Sequence, residues 1–332
     1  MNLSVYPWQT GLRDSLCRLA EAGRLPHALL LAAAEGTGKQ QFARAFAAWR
    51  LCQQPVAGEA CGRCRSCDLI AAGTHPDLHW VSPERVDDKV SKVITVAQTR
   101  QLVDFATQAA QRQGWRVIVI SPADALNTAA ANGLLKTLEE PGRDTLFLLL
   151  TDQPTGLLAT IRSRCQLLPL SVPDAEAAMT WLRGQLPNPA EASTLLTLAR
   201  GAPVAAAALR ESPWYAARAD LLDDLVAVAR RTLMPLQAAT RWNKLDAIAQ
   251  VTAWQSLLDD AVQCGLVPDH EPLHADLAQP LRHLAETSAD VLLETLWQAV
   301  ETRRLLDTTV QAQSLLESLW LHWGRESRKK PA

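Results

Sequence analysis

Ala28-Leu29-Leu30-Leu31-Ala32-Ala33-Ala34-Glu35-Gly36-Thr37-Gly38-Lys39-Gln40 is the stretch whose reading decides the fold. A continuous apolar run meets a glycine-containing turn, and a helical stretch over 40–51 follows. Strand, loop and helix in this order open a phosphate-binding domain, because glycines let backbone N–H groups approach an anion and the helix N-terminus adds its dipole. Outward from there, 79–81 reads as a short strand and 96–111 as an amphipathic helix. Residues 117–120 read as a buried β-branched strand, 129–140 as a helix stopped by Pro141-Gly142, and 145–150 as another apolar strand. Near-continuous apolar strands alternating with helices predict a parallel sheet covered on both faces.

The phosphate loop is incomplete. In a working GxxxxGK[ST] loop the lysine reaches the outer phosphates and the hydroxyl binds magnesium. Here Gly36, Gly38 and Lys39 are present, but the first motif glycine is Ala33 and the hydroxyl position holds Gln40. An amide replaces that hydroxyl poorly at a metal demanding tight octahedral geometry. The strand at 117–120 runs into Ser121-Pro122, with no carboxylate straight after it, and Asp124 reads as a helix cap. Two independent losses predict a site that does not hydrolyse nucleotide. Lys39 leaves weak phosphate binding open, and Gly36-Thr37-Gly38 alone reads equally well as a plain strand-to-helix turn.

Cys52, Cys61, Cys64 and Cys67 form a C-x8-C-x2-C-x2-C cluster directly after that helix. Thiolates at x2 spacing turn back on one ion, and a more distant cysteine completes a tetrahedron, so the cluster predicts structural zinc (Zn2+) with no open coordination position. His75 and His79 are near in sequence, but four sulfurs already suffice. Cys17, Cys165 and Cys264 read as ordinary buried thiols, and Arg63 and Arg65 as solvated loop charges.

A chain of 332 residues can hold two or three domains, and a formal charge of −2 argues against a whole-chain electrostatic grip on nucleic acid. Residues 1–13 lack a signal-peptide pattern, and the apolar runs are too short to span a bilayer, so no membrane role and a cytoplasmic site are expected. Thiols in that compartment stay reduced, which favours metal over disulfides. After Pro169 strand signals vanish. Residues 170–209 read as short helices, and from 213 onward the chain is Leu/Ala/Trp-rich and helical. Leu292, Leu293, Leu296, Trp297 and Val300 form one apolar stripe, and Leu315, Leu316, Leu319, Trp320 and Trp323 another. Most of the eleven tryptophans read as core packing, with a subunit interface as a second use for Trp320 and Trp323. The basic run at 325–330 reads as a solvated tail.

Pro26-His27-Ala28-Leu29-Leu30, the cysteine module, Gly73-Thr74-His75-Pro76-Asp77, the string from Asn132 through Leu134-Leu135-Lys136-Thr137-Leu138-Glu139-Glu140 to Pro141, and Ser163-Arg164-Cys165 together resemble the bacterial clamp-loader family. The likeness covers roughly the first two hundred residues and weakens in the helical remainder. It implies α/β followed by all-α architecture. An AAA+ P-loop-type domain with the zinc module at about 52–67 would occupy 1–168, a small helical lid 169–210, and a helical collar 211–332. Within that family the motor subunits run on ATP, and the departures here fit the stationary, non-hydrolysing member of the DNA polymerase III assembly. Val204 stands where a motor subunit carries a nucleotide-sensing arginine. Implied partners are gamma/tau-like motor subunits and a delta subunit in a hetero-pentamer, with the sliding clamp and primed DNA reached through the complex. The implied place is the cytoplasm, at the nucleoid through the replisome.

The resemblance also implies a role for Arg164, as a trans-acting arginine reaching nucleotide on a neighbouring subunit. Its planar, permanently charged fork suits phosphoryl oxygens. Arg162 is the weaker candidate. Two other function classes compete: an active AAA+ motor, which would turn over ATP alone, and a zinc-containing nucleic-acid binder, which would show salt-sensitive DNA binding.

Overall fold

A computed structural model of the chain describes residues 3–86, 89–91, 93–112, 114–267, 269–306 and 308–327. The chain divides into two compact units, Met1–Ala178 and Met179–Ala332. The basic tail at 328–330 lies outside the described residues.

The first unit is α/β. Its elements are α1 (Thr10–Glu21), β1 (Ala28–Ala32), α2 (Lys39–Leu51), α3 (Arg65–Ala71), β2 (Leu78–Val81), a two-stranded hairpin β3 (Arg85–Val86) and β4 (Lys89–Val90), and α4 (Val96–Thr107). Then come β5 (Arg116–Ile120), α5 (Thr128–Glu139), β6 (Thr145–Thr151), α6 (Ala159–Arg162) and β7 (Gln166–Pro169). The five-stranded sheet runs β2-β5-β6-β1-β7, and every pairing in it is parallel.

The period-2 pleat divides the strand side chains between two cores. Leu29, Leu31, Val117, Val119, Leu146, Leu148 and Leu150 pack with Phe42, Phe46 and Trp49 of α2 and Leu16 of α1. Ala28, Leu30, Ile118, Ile120, Phe147 and Leu149 pack on the other face with Leu102 of α4 and Leu134 and Leu138 of α5. Each buried Leu, Ile or Phe is worth about 1.5–3 kcal/mol, so the three central strands carry most of the sheet's stability. Local signals agree with this layering. Thr95 and Gln98 form a capping box on α4, and Asn127 caps α5 by accepting from the Ala130 N–H at 2.8 Å.

The quoted motifs fasten this frame. His27 Nε2 donates to the Leu138 carbonyl at 2.8 Å, tying the entry of β1 to the end of α5. Asp77 accepts from the backbone N–H groups of Gln111 and Arg112 at 2.7 and 3.0 Å, which fixes the turn before β5. That turn ends α4 at Thr107, four residues short of the expected 111. β7 was not expected from sequence. It is an edge strand whose Gln166, Leu167 and Pro169 are exposed, so it lacks the apolar continuity that marks the others.

The second unit is helical. It holds the end of α7 (Ala175–Gln185), then α8 (Ala192–Leu198), α9 (Pro203–Arg210), α10 (Pro213–Ala229), α11 (Pro235–Trp242), α12 (Ala247–Leu266), α13 (Ala278–Ala285), α14 (Ala289–Leu305) and α15 (Ala312–Glu326). Its core centres on Trp254 and Trp320, packed edge-to-face with centroids 4.7 Å apart, and on Trp323, whose indole N–H donates to the Leu225 carbonyl at 3.0 Å. Gly324 lets α15 meet α11 at close range, because a Cβ there would collide with the Pro235 ring.

The tryptophans divide between core and surface. Trp320 and Trp323 are fully buried, so they are core residues and not an interface. The stripe on α14 is divided: Leu292 is buried, whereas Leu293, Val300 and above all Trp297, 74% exposed, face solvent. Among the described residues no single helix is long and apolar enough to cross a membrane.

Candidate functional site

The phosphate loop follows the C-terminal end of β1, where open parallel sheets place ligands. Gly36 and Gly38 both have positive φ, 75° and 91°, and Gly38 caps α2. Both glycines thus take the left-handed backbone that this tight turn requires. Its surroundings are altered in two ways.

Lys39 is buried and its ammonium is ion-paired with Asp152. Register explains the partner: Ala32 of β1 lies opposite Thr151 of β6, so the residue after β6 falls beside the loop after β1. Asp124 joins them, accepting from Thr151 Oγ1 at 2.5 Å. This corrects its reading as a helix cap: Asn127 caps α5, and the turn after β5 carries Asp124 back to the loop, so an acid does stand near Lys39. Burial lowers the pKa of Lys39, while the charges of Glu35 and Asp124 oppose that shift. A lysine that should await an outer phosphate thus already holds a carboxylate, with two more acids acting on it. Each of these negative charges opposes the approach of a phosphate.

The second alteration is a cover. Tyr6 and Trp8 stack with ring centroids 4.8 Å apart, and a Cβ on Gly38 would lie 2.5 Å from the Tyr6 ring. Trp8 Nε1 and Gln9 Nε2 both donate to the Thr37 carbonyl, at 3.1 and 3.2 Å. The segment before α1 is therefore bonded directly onto the loop.

Arg164 sits just after α6, on the opposite core face of the same unit. Its side chain is 30% exposed, and its Nε donates to Glu139 Oε1 at 2.8 Å. Nη1 donates to the Thr160 carbonyl at 2.9 Å, and Nη2 donates to the same Glu139 oxygen. Arg162 is exposed and donates to the Pro154 carbonyl at 3.2 Å. Val204 lies in the first turn of α9.

The four cysteines converge. Cys52 ends α2, Cys64 caps α3 and Cys67 lies in its first turn, while Gly62, at φ 69°, turns the chain between Cys61 and Cys64. Their sulfur atoms all lie within 4.8 Å of one another. Recorded separations are 3.5 Å for Cys64–Cys67, 3.8 Å for Cys52–Cys67 and 3.9 Å for Cys52–Cys64. A tetrahedron with metal–sulfur bonds of about 2.3 Å has edges of about 3.8 Å, so this donor set fits such an ion. The Cys61 N–H donates to Cys52 Sγ at 3.2 Å, the kind of bond that stabilises a thiolate. Arg13 anchors the module to α1 through Glu59 at 2.6 Å. Cys17, Cys165 and Cys264 lie apart from the cluster; Cys17 is buried as expected, whereas Cys165 and Cys264 are only half-buried. Burial pushes the Cys17 and Cys165 thiols up to about 11.

Sequence reasoning missed Asp152, Glu139 and Tyr6. Glu139 stood in a quoted motif without a role, and Asp152 was flagged only by following a buried strand. Tyr6 carried no signal.

Comparison with known proteins gives concordant matches. A family model described as DNA polymerase III, delta subunit, matches residues 8–174, and a second, described as its C-terminal part, matches 212–325. The DNA polymerase III subunit delta' of Pseudomonas aeruginosa is 36% identical over 326 residues, covering 96% of this chain and 97% of its own. That of Yersinia pestis is 36% identical over 329 residues, covering 96% and 95%. That of Escherichia coli is 39% identical over 221 residues, covering 66% and 65%. By a family match over half its length and end-to-end similarity to these relatives, the chain belongs to the DNA polymerase III delta' family.

Proposed function

We propose that this chain is the non-hydrolysing, stationary subunit of a clamp loader, and that it lends Arg164 to nucleotide bound by a neighbouring motor subunit. The observation that carries this reading is the Lys39–Asp152 ion pair. It satisfies the lysine internally, while Tyr6 and Trp8 cover the same loop. Ala33 and Gln40 stand where a working motif has its first glycine and its magnesium hydroxyl.

Arg164 contrasts with Lys39. Its guanidinium is held on one edge and partly exposed, as a group meant for another molecule's phosphates must be. The cysteine module holds structural zinc in this reading, closed to catalysis by its four sulfurs. The helical remainder divides into a lid, 169–210, and a collar, 211–332. The collar joins gamma/tau-like motor subunits and a delta subunit in a hetero-pentamer, which opens the sliding clamp and places it on primed DNA in the cytoplasm.

The test is reconstitution with motor and delta subunits. The isolated chain is expected to show no magnesium-dependent ATP cleavage. Arg164→Ala is expected to assemble normally but to lose about a thousandfold in rate at the one site it serves. ATP turnover by the lone chain, or full clamp loading by the Arg164→Ala complex, would overturn the reading.

A further inference from the structure

We infer that Glu139 is a positioning residue for the trans reaction: its carboxylate holds one edge of the Arg164 guanidinium so that the other edge meets the neighbour's phosphate oxygens already ordered. The inference rests on the trans role proposed for Arg164 and assigns a part to a second residue.

A guanidinium has five N–H donors. In this chain the Nε–H and one Nη2–H go to Glu139 Oε1, and one Nη1–H goes to the Thr160 carbonyl. Among the described residues the second Nη2–H has no partner, and Nη1 makes one further, long contact of 3.4 Å to Ser163 Oγ. Both terminal nitrogens thus keep a donor for incoming oxygens, a long hydroxyl contact being easily exchanged for a charged phosphate.

The holder stands on an anchored backbone, with its side chain 49% exposed. Glu139 is the last residue of α5, which Asn127 caps and whose Leu134 and Leu138 are wholly buried. Arg164 is tied at its backbone, donating its N–H to the Ile161 carbonyl at 3.1 Å. An arginine side chain left free would have to surrender its rotamers at the moment of reaction, whereas here they are surrendered when the subunit folds. One carboxylate oxygen fixes position, and the remaining donors fix direction.

The experiment compares Glu139→Ala, Glu139→Gln, Arg164→Ala and the Glu139→Ala/Arg164→Ala double variant in the reconstituted complex, with assembly checked by size exclusion. Steady-state ATPase with clamp and primed DNA gives kcat and KM separately. Glu139→Ala is expected to lower kcat about tenfold with KM unchanged. Glu139→Gln, which keeps an acceptor oxygen, is expected to restore most of the rate. The double variant is expected to be no slower than Arg164→Ala alone.

A double variant markedly slower than Arg164→Ala gives Glu139 a role of its own and overturns the inference. A Glu139→Ala complex as fast as wild type, beside a slow Arg164→Ala complex, overturns it while leaving the trans arginine standing. If Arg164→Ala itself has no effect, both readings fall.

Discussion

Replacing Lys39 by methionine separates a working phosphate loop from a filled one. Methionine keeps the length and apolar stem but removes the charge. In a loop that binds nucleotide, this change abolishes activity and scarcely touches stability. Here the ammonium neutralises Asp152, and the charges of Glu35 and Asp124 act on it too. Without it, Asp152 loses its cation and the acids repel one another. Breaking a buried ion pair costs about 3–5 kcal/mol. Asp152 is 37% exposed, so solvent screening reduces that to about 1–2 kcal/mol. Asp152→Asn should cost a similar amount, and the double variant Lys39→Met/Asp152→Asn should recover about 1 kcal/mol of the summed loss. Urea titration of the isolated chain reads stability by tryptophan fluorescence, and ATPase of the reconstituted complex reads function. The expected pattern is lowered stability with undiminished complex ATPase. Unchanged stability together with a dead complex would show that Lys39 serves nucleotide, and the filled-loop argument would be wrong.

Metal analysis of the purified protein should give one zinc per chain, and Cys64→Ser should abolish it. A strong chelator should unfold the module, seen as proteolytic cleavage within 52–67; a metal-free protein resistant to cleavage there would count against the assignment. Trp297→Ala should change stability by less than about 0.5 kcal/mol yet weaken assembly, whereas Trp320→Ala should cost about 3–5 kcal/mol. Equal losses in urea denaturation would refute that contrast. His274 is wholly buried, and burial holds its pKa down to about 4, with Ser256 Oγ 2.9 Å from Nε2. Between the ordinary value near 6.5 and that lowered value, the unfolded chain takes up a proton that the folded chain refuses. Stability contributed by neutral His274 is therefore present above pH 6.5 and lost as pH falls towards 4, by on the order of 3 kcal/mol. A His274→Gln chain should show a flatter profile over that window, and an identical slope would refute the assignment.

The sheet was legible because β1, β5 and β6 are buried on both faces, and such strands must be apolar throughout. β7 was not, since an edge strand pays no such compositional penalty and its last residue is a proline. Helical periodicity located the apolar stripe on α14, but periodicity reports a face and not what covers it. Leu292 and Trp297 thus looked alike and ended in opposite environments. The cysteine cluster could be read from spacing alone, because its geometry is local. Asp152 and Glu139 could not, because each meets its partner through strand register or helix docking across 113 and 25 residues.

The aromatic cover on the Gly38 turn has a bearing on the history of this subunit. Restoring glycine at 33 and a hydroxyl at 40 would rewrite the motif on paper, yet the Tyr6 ring would still sit against the loop and Asp152 would still clasp the lysine. If the loop is idle as proposed, reversal demands change in three separated stretches of chain. On the proposed reading, the way back to a nucleotide-burning loop is therefore barred by packing as well as by motif.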